Sequence, residues 1–334
     1  MLHELAADAA GGSWISFDFN ALFSNFLPAT RDGLTYGSIY ALVAVGYTLV
    51  YGVLNLINFA HSEVFISGAY AVVFTLTGMG FNGNAPNLGT IPLIGDLLVA
   101  LVAGALTSAV VAVLVERIAY KPLRARGAPR LAFLITAIGM SFAIQYLIFL
   151  WRGSVAEPSV RMLPVKPIFQ FGDTIIFLQQ IVIVVAALVM MLAVDQFVRR
   201  TRAGRGIRAV AQDPDTATLM GVSTERIILL TFAIGGLLAG AAGLFYIMQV
   251  PSGALYNGGF VLGIKAFAAA VLGGIGNIRG ALLGGLLLGL IGNYGQYLLG
   301  DAQWNDVVCF IVLLLVLMVR PEGVLGSNLA KVRA

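Results

Sequence analysis

Nine apolar runs divide this chain of 334 residues, at about 34–54, 62–80, 97–115, 131–151, 174–194, 227–249, 262–277, 280–299 and 305–319. A bilayer core about 30 Å thick is crossed by roughly 20 helical residues. Inside it every backbone N–H and C=O must be bonded within the protein, so only helices and closed barrels span it. Runs of this length predict helices. The seventh and ninth are short, because at about 1.5 Å per residue a 16-residue helix covers only about 24 Å. The expectation is an all-α, polytopic membrane protein with eight or nine crossings and a broken or short helix near 262–280.

Composition agrees. Hydrophobic residues make up 59% and charged residues 11%, against about a quarter charged in soluble domains, and the mean hydropathy is +0.92. No polar stretch is long enough to enclose a core of its own. The chain reads as one transmembrane domain over 34–326, preceded by an external or interfacial segment 1–33 and followed by a cytoplasmic tail 327–334. The first residues lack the basic region of a secretory signal, and Glu4 and Asp8 interrupt their apolar content, so no cleaved signal is expected. The single cysteine, Cys309, lies in the last apolar run and reads as a buried structural thiol.

Fifteen of the twenty Lys and Arg fall in four alternate segments, which hold Arg117 to Arg130, Arg199 to Arg226, Arg279, and Arg320 to Arg333. The positive-inside rule places these in the cytoplasm, with the N-terminus outside and the C-terminus inside. Arg31, Arg152, Arg161 and Lys166 then lie outside, and Lys265 near the membrane edge. The net charge of +4 is explained by this topology, and no nucleic-acid partner is implied. Between Arg152 and Asp173, Pro158, Pro164 and Pro167 predict an extended external loop suited to docking an external protein. Glycines four apart, Gly236/Gly240, Gly276/Gly280/Gly284 and Gly285/Gly289, predict close helix seams.

Three polar constellations interrupt the apolar pattern. The first is Asn55, Asn58, His61 and Glu63, between the first two runs. His61 and Glu63 are two apart and face different ways on a helix, so the spacing is not that of a metal pair. Asn58 or Ser62 is placed to cap the second helix. Alternatively the group shapes a permeation path or gate, since intramembrane ionisable groups cost about 2.5–3.5 kcal/mol on insertion scales. The second is Gly273–Gly280, whose Gly274 and Asn277 sit in a glycine-rich turn of the kind that exposes backbone groups to a substrate. It lacks the spacing of a dinucleotide fingerprint. The third lies in the loop 199–226. Asp213 suits an N-cap, Pro214 the first helical position, Asp215 the positive helix end, and Gly221 a left-handed stop, with Thr216, Leu219 and Met220 between them. A helix of about two turns is expected there, too short to stand alone. It either folds back as a connector or projects into a partner.

No G-x-x-x-x-G-K-[ST] motif is present, and the only histidines are His3 and His61. Catalysis is not expected, and no cofactor or metal is predicted.

Gly33-Leu-Thr-Tyr-Gly-Ser-Ile-Tyr-Ala-Leu-Val-Ala-Val-Gly-Tyr-Thr-Leu-Val-Tyr-Gly52, followed by Asn58-Phe-Ala-His61-Ser-Glu63, resembles the H-type permease of bacterial branched-chain amino acid ABC importers. So do Glu116–Arg124, Arg205–Asp213, the Gly273–Gly280 turn and Arg320-Pro-Glu-Gly323. The likeness runs from Gly33 to Gly326 with the motifs in the family's order. One departure is Ser62, where glycine is usual between the His and the Glu.

The resemblance implies an inner-membrane importer of divided labour. This permease would pair with a second, related permease, two cytoplasmic ATPases would power the pair, and an external binding protein would deliver Leu, Ile or Val. It also implies that the stretch before Gly221 docks into the ATPase. Related permeases carry urea or short amides on the same scaffold. Against the importer stand an ion-coupled secondary carrier, for which the membrane interior offers few acids beyond Glu63, Glu116 and Asp195, a passive channel, and a membrane enzyme.

Overall fold

The computed structural model describes residues 17–81, 90–157, 160, 162–163, 167–171, 174–250 and 253–326. The expectations for 1–16 and 327–334, and for Pro158, Arg161, Pro164 and Lys166, lie outside those residues. A short helix α1 (Phe19–Ser24) leads into α2 (Phe26–Leu54), α3 (His61–Gly78) and α4 (Thr90–Val115). A π-helical turn, Glu116–Tyr120, joins α4 to α5 (Lys121–Ala125) and α6 (Arg130–Arg152). Then come β1 (Pro167–Phe171), β2 (Thr174–Phe177), α7 (Leu178–Arg200), α8 (Arg202–Gln212) and α9 (Pro214–Leu219). The last four helices are α10 (Thr224–Gln249), α11 (Gly258–Gly273), α12 (Ile278–Leu299) and α13 (Trp304–Val319).

Each expected apolar run is carried mainly by a helix, though the fifth begins in β2 and the seventh runs past the end of α11 at Gly273. Among the described residues six are long and apolar enough to cross a membrane, α2, α4 with its extension to Ala125, α6, α7, α10 and α12, while α11 and α13 are shorter. Helix α11 is unbroken, so of the two expectations for 262–280 the short helix holds. The two strands form an antiparallel pair with Phe169 opposite Ile176 and Gln170 opposite Ile175.

Hydropathy does not select the buried helices. Helix α2, with a mean hydropathy of 1.6 in its best window, is 83% buried there, and α10, at 2.2, is 67% buried; α4 and α7, at 2.6, are only 28% buried, but α6, at 2.0, is 22% buried and α12, at 1.3, 39%. Lipid is as apolar as leucine, so nothing drives oily side chains inward, and close contact between small residues selects the interior helices instead. Helix α2 is the axis. Gly285 and Gly289 of α12 lie on it at Ala41 and Gly37, where a Cβ on Gly37 would come within 3.0 Å of the Gly285 carbonyl. Gly236 and Gly240 of α10 face α4, and a Cβ on Gly240 would meet the Ala105 Cα at 2.6 Å. Gly280 and Gly284 face the end of α11. Gly276, expected on that same face, instead precedes the helix with φ of 93°.

Helix α2 begins eight residues before the apolar run does. Its first turns are held by polar tertiary contacts: the Thr30 and Tyr294 hydroxyls share a bond of 2.8 Å, Arg31 forks onto Asp32, and Arg31 also donates to the Ile175 carbonyl at 2.7 Å.

Candidate functional site

Helix α2 ends at Asn55, whose backbone is left-handed with φ of 53° and whose N–H bonds to the Tyr51 carbonyl at 2.7 Å. It is the only non-glycine with positive φ among the described residues, and asparagine is among the few side chains that tolerate this conformation. Asn55 itself is exposed at the end of the bundle. The chain then re-enters the bundle without helical structure, and α3 starts deep inside. His61 lies against Gly46 of α2 and Gly235, near the middle of α10. Asn58, His61, Ser62 and Glu63 are all at most 3% exposed. Non-helical backbone at membrane depth survives only where protein or a water-filled path surrounds it.

Neither Asn58 nor Ser62 caps α3 with its side chain, contrary to expectation. Ala60 takes the cap position, and the His61 N–H is met by the Asn58 backbone carbonyl at 3.1 Å. The Asn58 side chain instead accepts from the Tyr120 hydroxyl at 2.9 Å, tying the turn to the π-helical segment after α4. The Ser62 hydroxyl donates to the Phe59 carbonyl at 2.8 Å. Its Cβ packs where Gly263 of α11 has none, which is how this chain accommodates a serine there.

His61 and Glu63 diverge as their spacing requires. The imidazole stands edge-on to Tyr47, ring centroids 4.9 Å apart, and its Nε2 has no hydrogen-bond partner. The Glu63 Oε1 faces the hydroxyls of Ser62 and Ser141, each at 3.4 Å. Its Oε2 is unpartnered and lies over the first turn of α11, 3.1 Å from where a Cβ on Gly259 would stand. Leaving a buried polar atom unmet costs about 1–3 kcal/mol, and two such atoms occur here within one helical turn. This geometry maintains a polar, incompletely satisfied spot at the junction of α3, α6 and α11.

Gly274 and Asn277 are arranged differently. Asn277 caps α12, accepting from the Arg279 and Gly280 N–H groups at 3.1 and 3.3 Å, while its amide donates to the Leu325 carbonyl at 2.9 Å. The Val324 N–H reaches Leu272 at 2.8 Å and the Leu325 N–H reaches Gly273 at 3.0 Å. Gly274 has φ of 104°, and a Cβ there would meet the Gly326 nitrogen at 2.6 Å. This turn therefore clasps the segment after α13. A cavity of about 10 Å³ lined by Tyr47, Tyr51, Ile57, Phe267, Ala270 and Ile275 joins it to the α2–α3 turn; that is about the space of one water. The two turns share an end of the bundle, while Glu63 lies deeper.

In the loop 199–226 the Asp213 side chain caps α9, accepting from the Asp215 and Thr216 N–H groups at 3.0 and 3.3 Å and from the Thr216 hydroxyl at 2.7 Å. Gly221 closes the helix with φ of 83°. Helix α8, which the local pattern did not reveal, precedes it. Thr201 caps α8, and Gly204, Gly206, Ile207 and Val210 are its buried face. Helix α9 buries only Ala217. Leu219 and Met220 are 87% and 80% exposed. Two long apolar side chains thus stand at the tip of a rigidly capped hairpin, whose base is fixed where Asp195 pairs with Arg199 at 2.9 Å and Arg279 at 3.2 Å.

Apolar helices around a small-residue axis, a polar re-entrant turn inside the bundle and a capped hairpin offered outside it define a polytopic membrane transport subunit. The particular family follows from comparison: the chain belongs to the branched-chain amino acid transport system permease component family, which it matches over residues 29–317. Its role is that of the permease of an ATP-binding-cassette importer, a transport subunit rather than an enzyme. It is 42% identical over 308 residues to the high-affinity branched-chain amino acid transport system permease protein BraD of Pseudomonas aeruginosa, covering 90% of this chain and 96% of that one. It is 42% identical over 319 residues to LivH of Escherichia coli K12, covering 91% and 96%, and 41% identical over 315 residues to LivH of Salmonella typhimurium, with the same coverage.

Proposed function

We propose that this chain imports branched-chain amino acids across the bacterial inner membrane as one of a pair of related permeases, with the N-terminus outside and the C-terminus in the cytoplasm. Two cytoplasmic ATPases hydrolyse the ATP, and an external binding protein delivers the substrate. The α8–α9 hairpin is the coupling element: Asp213, Pro214, Asp215 and Thr216 set its geometry, and Leu219 and Met220 enter an apolar groove of an ATPase. Closure of the ATPases then rocks the packed helices between outward and inward access. Asn58, His61 and Glu63 form the gate, Asn55 marks its inner end, and Gly274 with Asn277 act as a hinge that links the gate to the clasped segment after α13.

The observation that carries this reading is the exposed Leu219–Met220 pair on a capped helix in a chain of this family. Replacing both by Asp in the reconstituted importer is expected to leave the chain inserted and to lower ATP-coupled leucine uptake by about tenfold or more, as loss of an interface anchor does. Wild-type uptake in that variant contradicts the coupling role. Uptake of urea or short amides in place of Leu, Ile and Val contradicts the substrate.

A further inference from the structure

Lys265 is the only Lys or Arg buried among the described residues, at 9% exposure, and it lies in the body of α11. Its ammonium donates to the Asn305 side-chain carbonyl at 3.0 Å and pairs with the Asp306 carboxylate, both in the first turn of α13. It also stands 5.6 Å from the centre of the Tyr40 ring. Gly292 of α12 makes room for this edge, since a Cβ there would meet Asn305 at 3.0 Å. The pair is unevenly enclosed: the Lys265 side chain is 11% exposed and that of Asp306 45%.

We infer that Lys265 and Asp306, beside the Tyr40 ring, are a transient binding station for the zwitterionic backbone of an amino acid on its way through the permease. This rests on the substrate reading above. The α-carboxylate pairs with the Lys265 ammonium and the α-ammonium with the Asp306 carboxylate, while the apolar side chain lies along the Tyr40 ring. The chemistry favours a zwitterion over a lone cation. Inserting the zwitterion into an existing ion pair leaves all four charges paired. A lone cation that took Asp306 would strand the buried Lys265 charge, which breaking a buried pair shows to be costly, whereas a lone anion would leave behind Asp306, 45% exposed to water. An uncharged solute gains nothing from the pair.

An ion pair kept only to neutralise two intramembrane charges predicts a different outcome. The test uses the whole importer, with both permeases, the ATPases and the binding protein, in proteoliposomes, measuring leucine uptake and ATP hydrolysis for wild type and for Lys265→Met, Asp306→Asn and the double variant. The double variant restores charge balance and is expected to assemble and hydrolyse ATP as wild type does, yet to lose about tenfold in maximal uptake, equivalent to roughly 1.4 kcal/mol in the translocation barrier. Wild-type uptake in the double variant overturns the station. Should the neutral variants not assemble, Lys265→Arg with Asp306→Glu keeps both charges and shifts their separation. There the station predicts reduced uptake with ATP hydrolysis intact, and unchanged uptake overturns it. A wild-type importer that accumulates no Leu, Ile or Val overturns the substrate reading instead, and is recognised before any variant is compared.

Discussion

At Glu63 stability and function pull apart. Its carboxylate is fully buried, with one oxygen unpartnered and the other at long distance from two hydroxyls. An uncompensated buried charge costs several kcal/mol, and its neutral isostere relieves that cost. Glu63→Gln is therefore expected to raise the melting temperature of the purified importer while lowering its uptake about tenfold, the trade-off of a strained functional site. Raised stability with unchanged uptake removes Glu63 from the gate. Tyr120→Phe acts in the opposite sense on stability: it strands the buried Asn58 carbonyl and should lower stability by about 1–3 kcal/mol, read as a lower melting temperature. The polar residues of this turn were legible in the sequence because they break an apolar pattern. Their partners were not, because Tyr120 and Ser141 stand 62 and 78 positions away from Asn58 and Glu63, and no local periodicity encodes such a contact. The partners of Lys265 were hidden for the same reason: Asp306 and Asn305, which make its burial tolerable, belong to another helix.

Among the elements, the short helix α9 has the least support of its own. It spans six residues, Pro214–Leu219, and buries one, so its cap carries much of its order. Asp213→Ala should cost about 1 kcal/mol locally and weaken stimulation of ATP hydrolysis by the loaded binding protein, with insertion and global melting unchanged. The Lys121–Glu225 pair at the same face, 3.0 Å long but 51% and 69% exposed, should matter little, because exposed pairs contribute about 0–1 kcal/mol. The cap, the first-turn proline and the closing glycine of α9 were readable residue by residue. Helix α8 was not, because Gly204 and Gly206 argue against a helix locally and only its packing, with Ile207 and Val210 buried, stabilises it. The early start of α2 was hidden likewise: Thr30, Arg31 and Asp32 look like loop until Tyr294 and Ile175 supply their partners.

For the whole molecule, close contact between small residues decides which helices lie inside, and hydropathy does not: α10, at 2.2, is 67% buried and α6, at 2.0, only 22%. The expected seams at Gly236/Gly240 and Gly285/Gly289 are the contacts of α10 with α4 and of α12 with α2. Gly240→Val forces α10 off Ala105, which a Cβ would approach to 2.6 Å, and overpacking of this kind costs about 1–3 kcal/mol or more. The expected result is loss of assembled importer from the membrane fraction. The central claim is that this bundle moves solute only when partners grip its exposed hairpin. Its most direct test is leucine accumulation in ATP-loaded proteoliposomes containing either this chain alone or the complete importer. The account predicts uphill accumulation with the complete importer and none with the isolated chain; uphill accumulation by the isolated chain would contradict it.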